Sequence, residues 1–148
     1  MKDIKFEEVV NTKKQINELY TLLKNRAYGI SHKELPSFEE HENFVRNNPY
    51  KHWFMVIKNT KAIGAIYLNY DNSIGINIVS MSEKIMSECI NFAINNFSPE
   101  AEKKSKISKD MYVNVHASNY EMIEVLKKMD MKPIQLSYRL PPKDQNEN

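Results

Sequence analysis

Ser80, Ser82 and Lys84 stand where a short β-branched run, Ile74, Ile76, Ile78 and Val79, changes without a loop into a helical pattern. That pattern is carried by Met81, Ile85, Cys89, Ala93 and Phe97 at four-residue intervals. A helix starting directly off a strand presents unpaired N–H groups and the positive end of its dipole, and both favour an anion such as a phosphate. Hydroxyls at Ser80 and Ser82 and the ammonium of Lys84 can add side-chain contacts. The junction Val79-Ser80-Met81-Ser82-Glu83-Lys84 contains no glycine, and without one the chain does not easily turn its N–H groups inward around a phosphate. Ser80 and Glu83 have capping-box spacing, which predicts that Ser80 starts the helix and sets a carboxylate beside the anion's position.

Four histidines, His32, His41, His52 and His116, are the side chains that titrate near neutrality. His41 falls on the apolar side of a helix and His52 opens a strand beside Trp53, positions that suit structural roles. Cys89 belongs to the apolar stripe and reads as a small core hydrophobe, since a thiol in apolar surroundings is unreactive. Lys103, Lys104, Lys106 and Lys109 read as a solvated charge run.

The elements that must position these groups follow from periodicity and punctuation. IKFEEVV alternates as a first strand, and a helix beginning at Asn11 or Thr12 buries Ile16, Leu19, Tyr20, Leu22 and Leu23. After a loop from Tyr28 to Pro36, Ser37 and Glu40 form a capping box for a second helix that ends at Asn47-Asn48-Pro49. His52 to Lys58, Ala62 to Tyr70 and Ile74 to Val79 predict a three-strand antiparallel meander feeding the helix that ends near Phe97. The segment SPEAEKKSKISKD predicts a solvated helix end or loop. Met111 to Ala117 then alternates as a strand, a helix starts near Ser118 or Asn119, and Lys132 to Leu140 forms a last strand before Pro141-Pro142.

The bounds agree with this layout. A chain of 148 residues that is 41% hydrophobic and 27% charged fits one soluble domain with a substantial core. The expected division is a domain over residues 1–141 and a polar disordered tail over 142–148. No run is long enough to cross a membrane. The start, MKDIKFEEVV, lacks the apolar centre of a secretory leader, and the single cysteine cannot form an internal disulfide, so the expected location is cytoplasmic. A net charge of +2 spread over mixed signs does not point to nucleic acid.

The order strand, two helices, three strands, helix, strand, helix, strand resembles that of GNAT-type N-acetyltransferases, from about Ile4 to Leu140. Three stretches carry the resemblance: PSFEEHENFVRNNPYKHWFMVI with IGAIYLNYDNSIGINIV, the junction after Val79, and NVHASNYEMIEVLKKMDMKPIQLSYRL. It implies an α/β fold of the α+β type, a GNAT-like single domain whose mixed, mostly antiparallel sheet of about six to seven strands is flanked by about four helices. It also implies acetyl-CoA, or another acyl-CoA, as cosubstrate, no metal, and an amine on a small molecule as acceptor. On this resemblance the backbone of Asn77, Ile78 and Val79 matches the segment that pairs with the pantetheine arm. Ser80, Ser82 and Lys84 lie where the pyrophosphate binds, and Asn119 matches a helix-initial asparagine that touches CoA. His116, at the end of the strand flanking the cleft, and His32, in the loop on the acceptor side, are the candidate bases.

Two departures from the family pattern are explicit. Lys84 and Met86 stand where the phosphate loop has glycines, and Leu126 occupies the place of a tyrosine that protonates the leaving thiolate. The expected activity is direct transfer of acetyl from acetyl-CoA to an amine in a ternary complex. The alternative is a GNAT-fold binding or assembly module that has lost acetyl-CoA turnover. An exposed final strand, Ile134 to Leu140, offers an edge for pairing into a homodimer.

Overall fold

The computed structural model describes residues 4–26 and 35–143. His32 and the tail from residue 144 onward lie outside the described residues. In chain order the elements are β1 (Ile4–Glu8), α1 (Lys13–Lys24), α2 (Phe38–Arg46), β2 (His52–Lys58), β3 (Lys61–Leu68) and β4 (Ser73–Ile78). They are followed by α3 (Glu83–Asn96), β5 (Tyr112–Val113) and α4 (Tyr120–Lys128).

The helices begin where side-chain oxygens can take the N–H groups left over at a helix start. Thr12 accepts from the Gln15 N–H at 3.2 Å, and Ser37 and Glu40 make the reciprocal capping box that their spacing predicts. Gln15 is buried, and its side-chain amide joins the end of β1 to α1. The carbonyl oxygen accepts from the Val10 N–H at 2.8 Å, while the nitrogen donates to the Glu7 carboxylate at 2.7 Å and to the Glu8 carbonyl at 2.9 Å. His41 Nε2 lies 2.9 Å from the Ile16 carbonyl and joins α2 to α1. Burial holds its pKa below the ordinary value, so the ring is a neutral donor and its role is structural, as its position predicts.

The sheet has the order β1-β2-β3-β4-β5. Neighbours are antiparallel as far as β4, and β4 with β5 is parallel. Because successive strand residues face opposite sides, the meander supplies two cores. Val56, Ile66, Leu68, Ile74 and Ile76 pack with Met86, Cys89 and Ala93 of α3 and Met122 and Val125 of α4. Trp53, Met55 and Ala65 pack with Ile16, Leu19 and Val45 from α1 and α2. Ile66 and Leu68 are wholly buried, and each contributes about 1.5–3 kcal/mol of hydrophobic stabilisation. Cys89 is in the first core, where burial pushes its thiol up to about 12.

The segment after α3 is held more firmly than its composition suggests. Asn72, in the β3–β4 turn, is completely buried at a φ of 71°, a left-handed conformation that asparagine tolerates better than most residues. Its amide nitrogen donates to the carbonyls of Glu100 at 3.0 Å and Ser108 at 2.9 Å, and its oxygen accepts from the Glu100 N–H at 2.7 Å. One side chain thus fastens both ends of the lysine-bearing loop to the sheet.

The described residues hold five strands of the six to seven expected. Lys132 to Leu140, expected as a last strand, is exposed, forms no strand and is not part of the sheet. The predicted strand Met111 to Ala117 forms a ladder only over Tyr112–Val113.

Candidate functional site

The short ladder of β5 creates the site. β5 meets β4 at Ser73↔Tyr112 and Ile74↔Val113, the Asn114 N–H reaches the Ile74 carbonyl at 3.2 Å, and the two strands then part. Along β4 the backbone groups of alternate residues face opposite neighbours. Those of residue 79 face β3, as the Val79 N–H to Ile63 carbonyl bond of 2.9 Å shows, and those of Ile74 face β5. The same alternation turns the N–H and C=O groups of Ile76 and Ile78 into the gap that β5 has left. An extended ligand carrying amide groups can pair there as an added strand does.

That gap belongs to a cavity of about 960 Å³ lined from α1 and α2, across β3 and β4, to the start of α4. Ile76, Asn77, Ile78, Val79 and Met81 line it on one side, Asn119, Glu121 and Met122 at the α4 end, and Arg26, Phe44, Tyr50, Trp53 and Tyr67 on the other. The Tyr50 and Tyr67 rings are stacked, with centroids 3.9 Å apart and 18° between planes. Burial, then the neighbouring Tyr67, holds the Tyr50 phenol above its ordinary pKa despite the opposing charge of Arg26. Tyr50 therefore keeps its proton at neutral pH.

Gly64 lines the cavity, and Gly75 lies under Tyr67 in its wall. A Cβ at Gly75 would overlap the ring and hydroxyl of Tyr67, and one at Gly64 would overlap the Asn77 carbonyl oxygen. Gly75 is therefore the residue that lets Tyr67 lie across β4 and reach Tyr50.

The site residues expected from the sequence divide into groups. Asn77, Ile78, Val79 and Asn119 come together on the cavity wall. Asn119 is also the N-cap of α4, its side-chain oxygen accepting from the Met122 N–H at 3.2 Å. Ser80, Ser82 and Lys84 are exposed beside it at the start of α3 and, among the described residues, are not part of the lining. The cap of α3 is Ser82, which accepts from the Ile85 N–H at 3.2 Å, not Ser80 as the capping-box spacing predicted. β-pairing persists to Val79, so the helix cannot begin at Ser80 and starts at Glu83. Ser80 is thereby released from capping, while the Glu83 carboxylate lies 4.0 Å from the Lys128 ammonium of α4.

His116 follows the point where β5 departs and, among the described residues, is not in the lining. Its Nδ1 accepts from the Ser118 N–H at 3.1 Å and lies 2.7 Å from the Ser118 hydroxyl, so a neutral ring carries its proton on Nε2. His52 is structural as expected: Nε2 accepts from the Ser98 N–H at 3.1 Å and the ring stacks on Phe97. The stacked pair of Tyr50 and Tyr67 in the cavity was not singled out from the sequence. The available signal was a tyrosine just before β2 and another on the neighbouring β3 with glycine opposite it, Tyr67↔Gly75 in register.

No family model matches the sequence, and no curated protein matches it. Solved structures do match. A possible acetyltransferase from Clostridium difficile 630 aligns at a TM-score of 0.58 and 13% identity over 95% of this chain and 98% of its own. The Campylobacter jejuni N-acetyltransferase PseH in complex with acetyl coenzyme A aligns at 0.58 and 16% identity over 90% and 92%. Spermidine N-acetyltransferase from Vibrio cholerae aligns at 0.55 and 14% identity over 85% and 77%. Over nearly its whole length the chain therefore has the α+β fold of GNAT-type N-acetyltransferases.

Proposed function

We propose that this protein is an acyl-CoA-dependent N-acetyltransferase that transfers acetyl from acetyl-CoA directly to the amine of a small molecule. The observation that carries the reading is the opened edge of β4, where the Ile76 and Ile78 backbone groups face a cavity bounded by Asn77, Val79 and Asn119. Its support from outside the chain is the fold shared with a protein solved with acetyl coenzyme A.

On this reading the amide-bearing arm of the cosubstrate pairs with Ile76 and Ile78, and its pyrophosphate meets Ser80, Ser82, Lys84 and the free N–H groups of Glu83 and Lys84. Holding both reactants in one cavity supplies much of the rate, because attack becomes effectively unimolecular. The acceptor amine lies toward Phe44, Tyr50 and Trp53, whose ring faces favour a cationic group before it loses its proton. His116, or His32, takes that proton through water. Leu126 cannot protonate the departing thiolate, and Tyr50, which keeps its proton at neutral pH, is the hydroxyl in the cavity suited to do so.

A second reading, a GNAT-fold binding module without turnover, is favoured by one specific feature. The α3 start lacks glycine, Ser82 already takes one of its N–H groups, and Glu83 stands in its first turn. Release of free thiol from acetyl-CoA, measured with polyamines, amino sugars and amino acids as acceptors, separates the two. Acceptor-dependent thiol release is expected with one of these classes. Tight acetyl-CoA binding with no acceptor-dependent release would favour the module.

A further inference from the structure

The two halves of the cavity beside β4 differ in chemistry. The half contributed by α1 and α2 is walled by Leu19, Leu22, Leu23, Leu35, Pro36 and Phe44, side chains that give a ligand contact area and nothing to hydrogen-bond. The Tyr50 and Tyr67 stack and Trp53 continue that wall onto the sheet.

One cation stands in this apolar half. Arg26 is the first residue beyond the cap of α1, its N–H turned back to the Leu23 carbonyl at 3.2 Å. Among the described residues it is the one lysine or arginine in the lining. Its charge is felt at the Tyr50 phenol, where it opposes the upward push of burial. The carboxylates are differently placed. Glu40 Oε1 accepts from the Ser37 N–H at 2.9 Å in the capping box of α2, and Glu121 belongs to the first turn of α4, at the far end of the cavity.

These features discriminate among amines. A polyamine needs carboxylates spaced along the cavity for its further ammonium groups, and an amino sugar needs hydrogen-bonding side chains for its hydroxyls. A wall of leucines and aromatic rings with one guanidinium suits neither. It suits an amine that has an apolar body and a carboxylate, because a guanidinium takes a carboxylate through two parallel N–H bonds. Its five donors let that pairing stand beside contacts within the chain. The carboxylate also offsets the repulsion that Arg26 exerts on an ammonium group. Tyr50 lies within reach of the Arg26 charge and stacks on Tyr67, whose ring lies over Gly75 of β4. The anion's place and the strand edge are thus joined by one ring pair, which sets the amine and the carboxylate close together, as on the α-carbon of an amino acid.

We propose, on the acetyltransferase reading above, that the acceptor is an apolar or aromatic α-amino acid whose carboxylate is held by Arg26 and whose side chain fills the leucine-lined half of the cavity. In the transfer the amine nitrogen forms an amide bond to the acetyl carbon while the carbon–sulfur bond breaks. Of the two protons that the ammonium group gives up, one goes to the thiolate and one to solvent, leaving an N-acetyl amino acid and free CoA.

Trp53 is the single tryptophan of the chain and lines the cavity, so its emission reports an acceptor without turnover. Titration of the native chain with leucine or phenylalanine is expected to give a saturable change. The corresponding amides, which lack the carboxylate, should bind ~10-fold more weakly, and spermidine and glucosamine should not saturate over the same range. In Arg26→Ala the amino acid and its amide should bind equally. That ratio is taken within one protein, so a smaller folded fraction does not change it. Thiol release from acetyl-CoA separates this proposal from the reading beneath it. Release with spermidine or glucosamine but not with the amino acids would overturn the proposal and leave an acetyltransferase. Saturation by an amino acid with no thiol release would support the ligand class and contradict the acetyltransferase reading. No saturation by leucine or phenylalanine at millimolar concentration, or an Arg26→Ala chain that still prefers the acid to the amide, would overturn the proposal.

Discussion

The two ends of β4 are built on opposite plans. At Ser73–Ile74 the strand is paired on both sides, by β3 and β5, and the adjoining polar groups are satisfied within the chain. The Asp71 carboxylate accepts from the Ser73 N–H at 2.9 Å, and buried Asn72 uses its whole side chain on Glu100 and Ser108. At Ile76–Val79 the strand is paired on one side only, beside a cavity of about 960 Å³. Backbone groups that face the gap have no partner in the chain and are left to pair with water or a ligand. One end holds the fold together, and the other is left open for a ligand.

The largest effect should come from the closed end. Asn72→Leu removes three hydrogen bonds, leaves the Glu100 N–H without its acceptor and puts a leucine at a φ of 71°. A loss of about 2–4 kcal/mol in urea unfolding is expected, with acetyl-CoA affinity nearly unchanged in whatever fraction remains folded. A loss below about 1 kcal/mol would mean that the closed end does not depend on this residue.

The open end should behave inversely. Ile78→Pro deletes an N–H that takes no part in the β3 ladder, so acetyl-CoA should bind ~10-fold more weakly. Its stability should fall no further than that of Ile78→Ala, which is the control for the lost side chain. Equal affinities in the two variants would show that the edge of β4 does not pair with the ligand. The smallest effect belongs to the margin of the open end. Glu83→Gln removes a carboxylate from the first turn of α3, and affinity for adenosine 3′,5′-bisphosphate should rise roughly two- to fivefold at low salt. An unchanged affinity would place the phosphates elsewhere.

Much of this was legible in the sequence because the signals are local. The caps at Thr12, Ser37 and Asn119 lie within three residues of the groups they satisfy, and the alternation of the meander names both cores. The start of α3 was misread for a physical reason. Ser80 and Ser82 both have a partner three residues on, and what selects Ser82 is the Val79 to Ile63 bond, which no local pattern reports. The role of Asn72 was also out of reach. It reads as a turn residue, yet its partners are 28 and 36 residues away. Alternation in Met111 to Ala117 and in Lys132 to Leu140 does not say where pairing stops: the first forms a ladder only over Tyr112–Val113 and the second forms none. The Tyr50–Tyr67 pair depends on Gly75 across the ladder, again a relation between strands.

The measurement that tests the central claim most directly is calorimetric titration of the native chain with acetyl-CoA, alongside desulfo-CoA and adenosine 3′,5′-bisphosphate. Micromolar binding of acetyl-CoA, about −8 kcal/mol, is the predicted result, with the bisphosphate weaker because it cannot reach Ile76 and Ile78. No heat and no thermal shift at millimolar ligand would contradict it, and the opened edge of β4 would then serve some other extended ligand.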